Sequence, residues 1–294
     1  MPDTINEIHP NKPTQVPQRT RMLRRFVRHR GGMVGLLLFG GLLVIAIFAQ
    51  QIAPYDPLAL DYHSTLQPPS PAHWFGTDDL GRDILSRAIW GARESLRVAL
   101  LASAIGIIGG LVFGLISGYL GGWADVLIQR IVEIMLAFPT ILLVLSIVAA
   151  LGPNLTTILI AAGISTIPIY IRMIRSTVLV EREKEYILAS VALGAGQFGI
   201  MARHILPNVL STAIIYTTLG LGGIILATSG LSYVGLGAQP PTPEWGAMLT
   251  EGQRLFRNAW WPAFFPGLFI FLAVVGVNLL GDGLRDLFDP NMNV

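Results

Sequence analysis

Hydrophobic residues occur in six long runs that are separated by polar or proline-rich stretches. Each run approaches the roughly 20 apolar residues that a helix needs to cross the hydrocarbon core of a bilayer. The pattern therefore predicts an all-α integral membrane protein with six transmembrane helices. The predicted spans are residues 33–52, 96–120, 134–151, 155–171, 211–237 and 263–281.

The composition agrees with a membrane protein and narrows its chemistry. The chain of 294 residues is 52% hydrophobic and 13% charged, whereas soluble domains carry roughly 25% charged residues. Its mean hydropathy is +0.60. The absence of cysteine excludes disulfides, thiol catalysis and cysteine-based metal sites. The five histidines lack the spacing of metal ligands, so no metal site is expected.

The chain lacks the residues that would let it supply its own energy. A P-loop needs a lysine directly after a glycine, but neither Lys12 nor Lys184 has one. The predicted spans contain almost no acidic residues, which argues against ion-coupled transport and against an intramembrane carboxylate hydrolase. The sequence therefore does not predict an enzyme. Its basic residues lie where a membrane protein carries them, so lipid and not nucleic acid is expected beside them.

The distribution of basic residues predicts the orientation. With six spans, most of the 20 lysines and arginines fall on the same side of the membrane as the N-terminus. Cytoplasmic segments carry such an excess. Both termini are therefore expected in the cytoplasm. The expected parts are a basic cytoplasmic tail (1–32), a first transmembrane helix (33–52), an extracytoplasmic loop with an amphipathic helix (53–95), a five-helix core (96–282) with a cytoplasmic loop (172–208), and a cytoplasmic C-terminal tail (283–294).

Five glycines recur at four-residue steps through the second predicted span. Small residues at this spacing share one helix face and let a neighbouring backbone approach closely. The stripe predicts a face for helix packing and not a binding site. Its members are Gly106, Gly110, Gly114, Gly118 and Gly122.

Residues 185–208 have the character of a docking element. Residues 185–193 favour a helix, which Gly194 and Gly196 interrupt, and a second short helix is expected over 198–205. Apolar and small side chains of this segment stay uncovered unless a partner binds them. The pattern favours a short helix that lies in the groove of another protein.

This segment resembles the "EAA" loop of bacterial ABC importer permeases: Glu-Ala-Ala, three residues, Gly, nine residues and Ile-x-Leu-Pro. Residues 188–190 (Leu-Ala-Ser) stand at the Glu-Ala-Ala positions, Gly194 at the glycine and residues 204–207 (His-Ile-Leu-Pro) at the end. Leucine replaces the glutamate, and histidine replaces the first isoleucine. Three further strings, at residues 75–87, 235–246 and 278–290, resemble the C-type permeases of dipeptide and oligopeptide importers.

The resemblance implies a type I ABC importer permease fold and a place in the bacterial inner membrane. The implied partners are a second, homologous permease in a heterodimer, two ATP-binding subunits and an extracytoplasmic substrate-binding protein. ATP and magnesium then belong to the partner ATPases, and no cofactor is expected in this chain. The implied function is a path for small peptides. The expected ATPase-coupling residues are Tyr186, Ala189, Ser190, Gly194, Ala195, His204 and Pro207.

The two extracytoplasmic segments carry further expectations. Their position predicts contact with the binding protein at Gln239, Pro241, Glu244 and Trp245. Three arginines are expected to form ion pairs along the amphipathic helix. The arginines are Arg82, Arg87 and Arg93, and the expected partners are Asp79, Asp83 and Glu94.

Other functions stay open at this point. The same machinery can carry nickel, glutathione or another small solute, because the shared strings specify the subfamily more than the cargo. A membrane assembly protein without a transport role would also present a docking loop and a glycine face. A membrane enzyme would need paired acids with a base, and no such set stands out in the sequence.

Overall fold

A computed structural model of the chain describes Phe26 and residues 29–288, so most of the predicted N-terminal tail and the last six residues lie outside it. Apart from one isolated bridge between Thr77 and Asp83, every regular element in this part is helical. The elements are α1 (Arg30–Ile47), α2 (Ala49–Ile52), α3 (Ile84–Leu120), α4 (Gly122–Ala137), α5 (Thr140–Leu151), α6 (Leu155–Arg182), α7 (Glu185–Ala192), α8 (Gln197–Ile200), a π-helical turn (Met201–Ile205), α9 (Leu206–Tyr233), α10 (Trp245–Leu255) and α11 (Trp261–Phe288).

Within the described residues, five stretches of helix are long and apolar enough to cross a membrane. They are α1, α3, α6, α11 and the continuous stretch Gln197–Tyr233 that ends in α9. A sixth candidate is the pair α4 and α5, which meets the same criterion only when taken together. The hydrophobic pattern thus predicts the right number of spans if this pair is counted as one.

The third predicted span is broken. Helices α4 and α5 meet at an angle of 89°, and Phe138 between them is extended. Pro139 explains the break, because proline lacks an N–H and disfavours helical backbone in the residue before it. Inside α6, by contrast, Pro168 lies within a continuous helix. The sequence did not distinguish these two prolines.

Helix α3 begins well before the predicted span. It starts at Ile84, where the Asp83 carboxylate accepts a hydrogen bond from the Ser86 amide at 2.8 Å, and runs without a break for 37 residues. The stretch predicted as a separate amphipathic helix is therefore the start of α3. At 1.5 Å per residue the helix is about 55 Å long, so it extends past a hydrocarbon core of about 30 Å.

Three further bounds differ from those predicted. The first helix ends at Ile47, and Phe48 separates it from α2. The fourth span does not end at residue 171, since α6 continues to Arg182. The last helix continues to Phe288, so residues 283–288 are helical and not the start of a tail. In each of the last two cases the added turns carry charge, and hydropathy alone therefore placed the end too early.

Two pairs of helices approach closely through glycines, and a hydrophobic core joins the other contacts. Helix α3 crosses α6 along the glycine-rich half of its length, and α1 crosses α11 at Gly35, Gly276 and Gly283. The largest hydrophobic core joins α1, α3, α9, α10 and α11 and includes Phe39, Leu96 and Trp245. Helices α6 and α9 hold the segment between them, residues 183–205, at one end of the bundle.

Candidate functional site

The segment between α6 and α9 is a compact helix–turn–helix. Helix α7 ends in a glycine turn: Gly194 has φ +81°, its amide bonds the Val191 carbonyl at 2.9 Å, and the Ala195 amide bonds the Ser190 carbonyl at 3.1 Å. This is a Schellman motif, whose left-handed residue favours glycine. The turn leads the chain into α8, and we call the exposed side chains of α7, the turn and α8 the outer surface. We call residues 183–205 the docking loop.

The outer surface of the docking loop is apolar and uncovered. Leu193 and Phe198 are 88% and 83% exposed, and Leu188 and Val191 are more than half exposed. Large apolar side chains grouped in this way on one surface mark a site of protein contact. Among the predicted coupling residues, Tyr186, Ala189, Gly194, Ala195 and Pro207 are exposed, and Ser190 and His204 are half-buried.

The inner surface of the docking loop is packed against the bundle. Ile187, Ile200 and Ile205 are each at most 1% exposed and form one cluster with Ile174 of α6 and Val209 of α9. Their burial leaves the loop little freedom to move apart from these two helices. Nothing in the sequence distinguished these buried isoleucines from the exposed apolar residues of the loop.

A buried carboxylate lies beneath the docking loop. Glu181, in the last turn of α6, is 5% exposed. Its oxygens accept hydrogen bonds from the Tyr186 hydroxyl and from the Asn208 amide at 2.9 Å, and Lys184 Nζ lies 2.6 Å away. The scarcity of water around the Tyr186 hydroxyl and the bond to Glu181 raise the pKa of Tyr186 to about 12. The hydroxyl therefore stays protonated and donates at neutral pH.

Four of the five glycines in the stripe contact α6. A Cβ added to Gly114 would lie 2.8 Å from Ile174 Cβ, and one added to Gly118 would lie 2.8 Å from Val178 Cβ. Gly106 and Gly110 face Thr166 and Tyr170 of the same helix. Gly122 is different: it has φ +53° at the start of α4, and no neighbour lies within 4 Å of a Cβ there. It forms a turn and does not belong to the packing face.

The predicted contacts with a binding protein divide into two groups. Gln239 and Pro241 are exposed. Trp245 is 0% and Glu244 is 2% exposed, so neither meets a partner in this conformation. The Glu244 carboxylate caps α10 by accepting from the Ala247 amide at 3.0 Å and also accepts from the Ser95 hydroxyl at 2.9 Å. Burial raises the pKa of Glu244.

Trp245 is buried as well and packs against α3. Its indole N–H donates to the Ala88 carbonyl at 2.9 Å, and its ring lies against Gly91 of α3. A buried tryptophan that satisfies its one donor fixes the position of α10 on α3. The extracytoplasmic position of this segment suggested exposure at a surface, but small residues on α3, Gly91 among them, leave room for the ring.

The arginines at the start of α3 have different partners from those expected. Arg82 Nε lies 2.6 Å from Asp78, and both Arg82 and Arg87 contact the Glu251 carboxylate of α10, at 3.1 and 2.8 Å. Arg93 instead stacks on Trp90. Glu251 follows Arg82 by 169 positions, so no local pattern could indicate the pair. The cluster holds α10 against the start of α3.

A cavity of about 1070 Å³ opens between α5, α6 and α9. Its walls are mainly apolar, with hydroxyl groups from Ser165, Thr166, Tyr170 and Tyr216. On α9 the wall is lined by small residues, including Gly220, Gly223 and Gly230, and for this reason the space is wide there. The cavity was not predicted, because the alternation of small and large residues on α9 is weak as a sequence signal.

Comparison with known proteins identifies the class. Residues 110–294 match the model of the family described as "Binding-protein-dependent transport system inner membrane component", and residues 18–69 match the "N-terminal TM domain of oligopeptide transport permease C". The chain belongs to this family of transport permeases. It is therefore a multi-pass inner-membrane permease of an ABC importer, a type of protein that works with ATPase and binding-protein partners.

Individual relatives make the comparison more specific. The chain is 45% identical over 289 residues to a dipeptide transport system permease protein of Alkalihalophilus pseudofirmus, covering 96% of this chain and 95% of the relative. It is 47% identical over 270 residues to a glutathione transport system permease protein of Shigella flexneri, covering 92% and 89%. The structure resembles that of the MetNI methionine ABC transporter in an inward-facing conformation, with a TM-score of 0.56 and 21% identity over 70% of this chain and 97% of the other. That likeness concerns the fold.

Proposed function

We propose that this chain pairs with a second, homologous permease to form the path of an importer for small peptides. Two ATP-binding subunits drive the path, and an extracytoplasmic binding protein delivers the cargo. The observation that carries the proposal is the docking loop: an exposed apolar surface of Leu188, Val191, Leu193 and Phe198 on a base that is packed into α6 and α9. Relatives named for dipeptide and glutathione transport support the peptide cargo.

The docking loop is suited to convert the movement of an ATPase into movement of helices. Its outer surface offers side chains that lose water when a partner covers them, and each large apolar side chain buried contributes about 1.5–3 kcal/mol. Its inner surface is continuous with the bundle. A partner that displaces the loop therefore displaces α6 and α9 with it, which is the rigid-body type of transition.

The proposed membrane side of the termini follows from the ATP-binding partners. ATP-binding subunits are cytoplasmic, so the docking loop faces the cytoplasm. Residue 29 and the end of α11 lie at one end of the bundle, because His29 Nε2 is 3.0 Å from the Asp286 carboxylate. After the docking loop, α9 and α11 cross the membrane in opposite directions, so the end of α11, and residue 29 with it, lies on the cytoplasmic side, as the basic residues predict.

The walls of the cavity give a reason for the class of cargo. The cavity between α5, α6 and α9 has hydroxyl groups but no charged side chain among its lining residues. Such a wall interacts with peptide backbone through weak, exchangeable hydrogen bonds and does not hold one side chain tightly. Selection among peptides therefore falls to the binding protein, and glutathione, itself a short peptide, fits the same path. Nickel does not find ligands in this wall.

The test combines copurification with uptake. Tagged permease is expressed with its own transporter genes, and the bound subunits are identified for the wild type, for Leu193→Asp with Phe198→Asp, and for the control Leu60→Asp. Leu60 is a half-exposed leucine in the segment between α2 and α3. We expect the ATPases to be lost from the double variant alone, and uptake of a labelled dipeptide to be lost with them. Retention of the ATPases by the double variant would refute the docking surface.

The cargo is tested separately. Uptake of the labelled dipeptide by cells that carry the wild-type transporter is measured against an excess of unlabelled tripeptide, glutathione or nickel. Competition by the peptides, including glutathione, is expected. A complex that keeps its ATPases but takes up no labelled dipeptide would refute a peptide path while leaving the permease assignment intact.

A further inference from the structure

The docking loop is joined to the bundle by one polar contact that reaches three elements at once. Glu181 belongs to α6, Tyr186 to α7 and Asn208 to α9. The Tyr186 hydroxyl donates to Glu181, and the Asn208 amide nitrogen lies 2.9 Å from both Glu181 Oε1 and the Tyr186 hydroxyl. The same nitrogen lies 2.9 Å from the His204 carbonyl in the π-helical turn. The two ends of the docking loop, where it joins α6 and α9, thus meet at the Glu181 carboxylate.

The burial of this carboxylate makes the contact hard to exchange for water. Glu181 is 5% exposed, and a buried charge that loses its donors is much less stable than one that keeps them. Hydrophobic contacts of the isoleucines beneath the loop hold it against the bundle but are not directional. The bonds of Glu181, in contrast, are directional. Helix α7 therefore cannot tilt against α6 or α9 without removing donors from the buried carboxylate.

We infer that Glu181, Tyr186 and Asn208 form a joint that makes α6 and α9 follow the docking loop together. They are positioning residues, and the inference rests on the proposed function of the loop. Tyr186 then acts through its hydroxyl, which is directed towards the permease, and not through contact with an ATPase. Because α6 and α9 both line the large cavity, moving them together displaces two of its walls at once relative to α5.

The experiment measures transport per ATP hydrolysed. The complete complex that copurifies with this chain is placed in liposomes with its binding protein, and ATP hydrolysis and uptake of a labelled dipeptide are recorded in the same preparation. We expect Tyr186→Phe and Asn208→Ala to keep the ATPase subunits and their hydrolysis. Their ratio of uptake to hydrolysis should fall by at least about fivefold, the lower end of usual coupling between sites.

A matched control lies in α6. The exposed Ser176 hydroxyl donates to the Met173 carbonyl at 2.7 Å, a bond within α6 that joins no second element, so Ser176→Ala should leave the ratio unchanged. Glu181→Gln keeps an oxygen that accepts from the tyrosine and the amide, and it should retain more of the ratio than Glu181→Ala. A purely structural effect would lower hydrolysis, uptake and yield in parallel.

The outcomes separate this inference from the proposed function. If the wild-type complex hydrolyses ATP and transports the dipeptide but Tyr186→Phe and Asn208→Ala have a normal ratio, the joint is refuted and the importer stands. Loss of the ATPase subunits from both variants would refute it as well, since the residues would then act in docking. If the wild-type complex shows no uptake of dipeptide at all, the failure belongs to the proposed function.

Discussion

The contact between α3 and α6 predicts that one added methyl group in the glycine stripe destabilises the protein. In Gly114→Ala the new Cβ would lie 2.8 Å from both Ile174 Cβ and Ile174 Cγ2, and 3.2 Å from the Ile171 carbonyl oxygen. Ordinary contacts between carbon atoms are about 3.5–4 Å, so the helices must separate by roughly 0.7 Å. Ile174 cannot turn away, because it is 0% exposed and a β-branched side chain in a helix has one strongly preferred rotamer.

The expected loss of stability in Gly114→Ala follows from these distances. Forcing a methyl group into a packed core costs about 1–3 kcal/mol, whereas replacing glycine by alanine inside a helix contributes up to about 1 kcal/mol when there is room. Gly41 of α1 provides that control, since no atom lies within 4 Å of a Cβ there. At about 2–4 °C per kcal/mol for a chain of this size, Gly114→Ala should lower the apparent melting temperature in detergent by roughly 5 °C, and Gly41→Ala should not lower it.

A double variant tests whether the clash with Ile174 is the cause. Ile174→Ala alone leaves a cavity and should destabilise by about 2–5 kcal/mol. In Gly114→Ala with Ile174→Ala the new methyl group occupies part of that cavity, so the combined effect should be smaller than the sum of the two single effects. Equal melting temperatures for Gly114→Ala and Gly41→Ala, or strict additivity in the double variant, would refute the close contact.

Two further predictions concern the packing of α10 on α3. Glu251→Gln removes the charge that two buried arginines share and should destabilise the protein by about 2 kcal/mol. Arg254→Gln, an exposed change on the same helix, should have little effect. Equal melting temperatures of the two variants would contradict the contact of Glu251 with the arginines. Trp245→Phe removes the indole donor to the Ala88 carbonyl and opens space, for a loss of about 1–3 kcal/mol, whereas the half-exposed Trp260→Phe should melt within about 1 °C of the wild type.

Contacts that depend on neighbouring positions were accessible from the sequence. The apolar runs predicted the spans because a helix must be continuously apolar to cross a bilayer, and the four-residue spacing of Gly106 to Gly118 predicted the face that meets α6. The turn at Gly194 was also predictable, since glycine ends a helix in the left-handed conformation. In all three cases the physical rule acts over a few residues, so the pattern in the chain is sufficient.

Contacts between distant positions were not accessible in this way. Glu244 and Trp245 are polar or amphipathic residues in a proline-rich segment, and such segments are usually exposed. Their burial depends on Ser95 and on the small residues of α3, about 150 positions earlier. The length of α3 was misjudged for a similar reason. Its first turns carry charge, and only their burial against α10 makes them a continuation of the span.

The positions of Glu251 and Glu181 indicate why the charged residues are few but not dispensable. Within the bilayer, hydrocarbon tails are as apolar as leucine, so helices associate by close packing, as the glycines of α3 do. At the ends of the bundle water competes for every polar group, and segments between helices need directional bonds to keep their orientation. Glu251 supplies these bonds on one side of the membrane, and Glu181 supplies them on the other. Each joins elements that are separated in the chain, and its directional bonds fix the orientation of those elements.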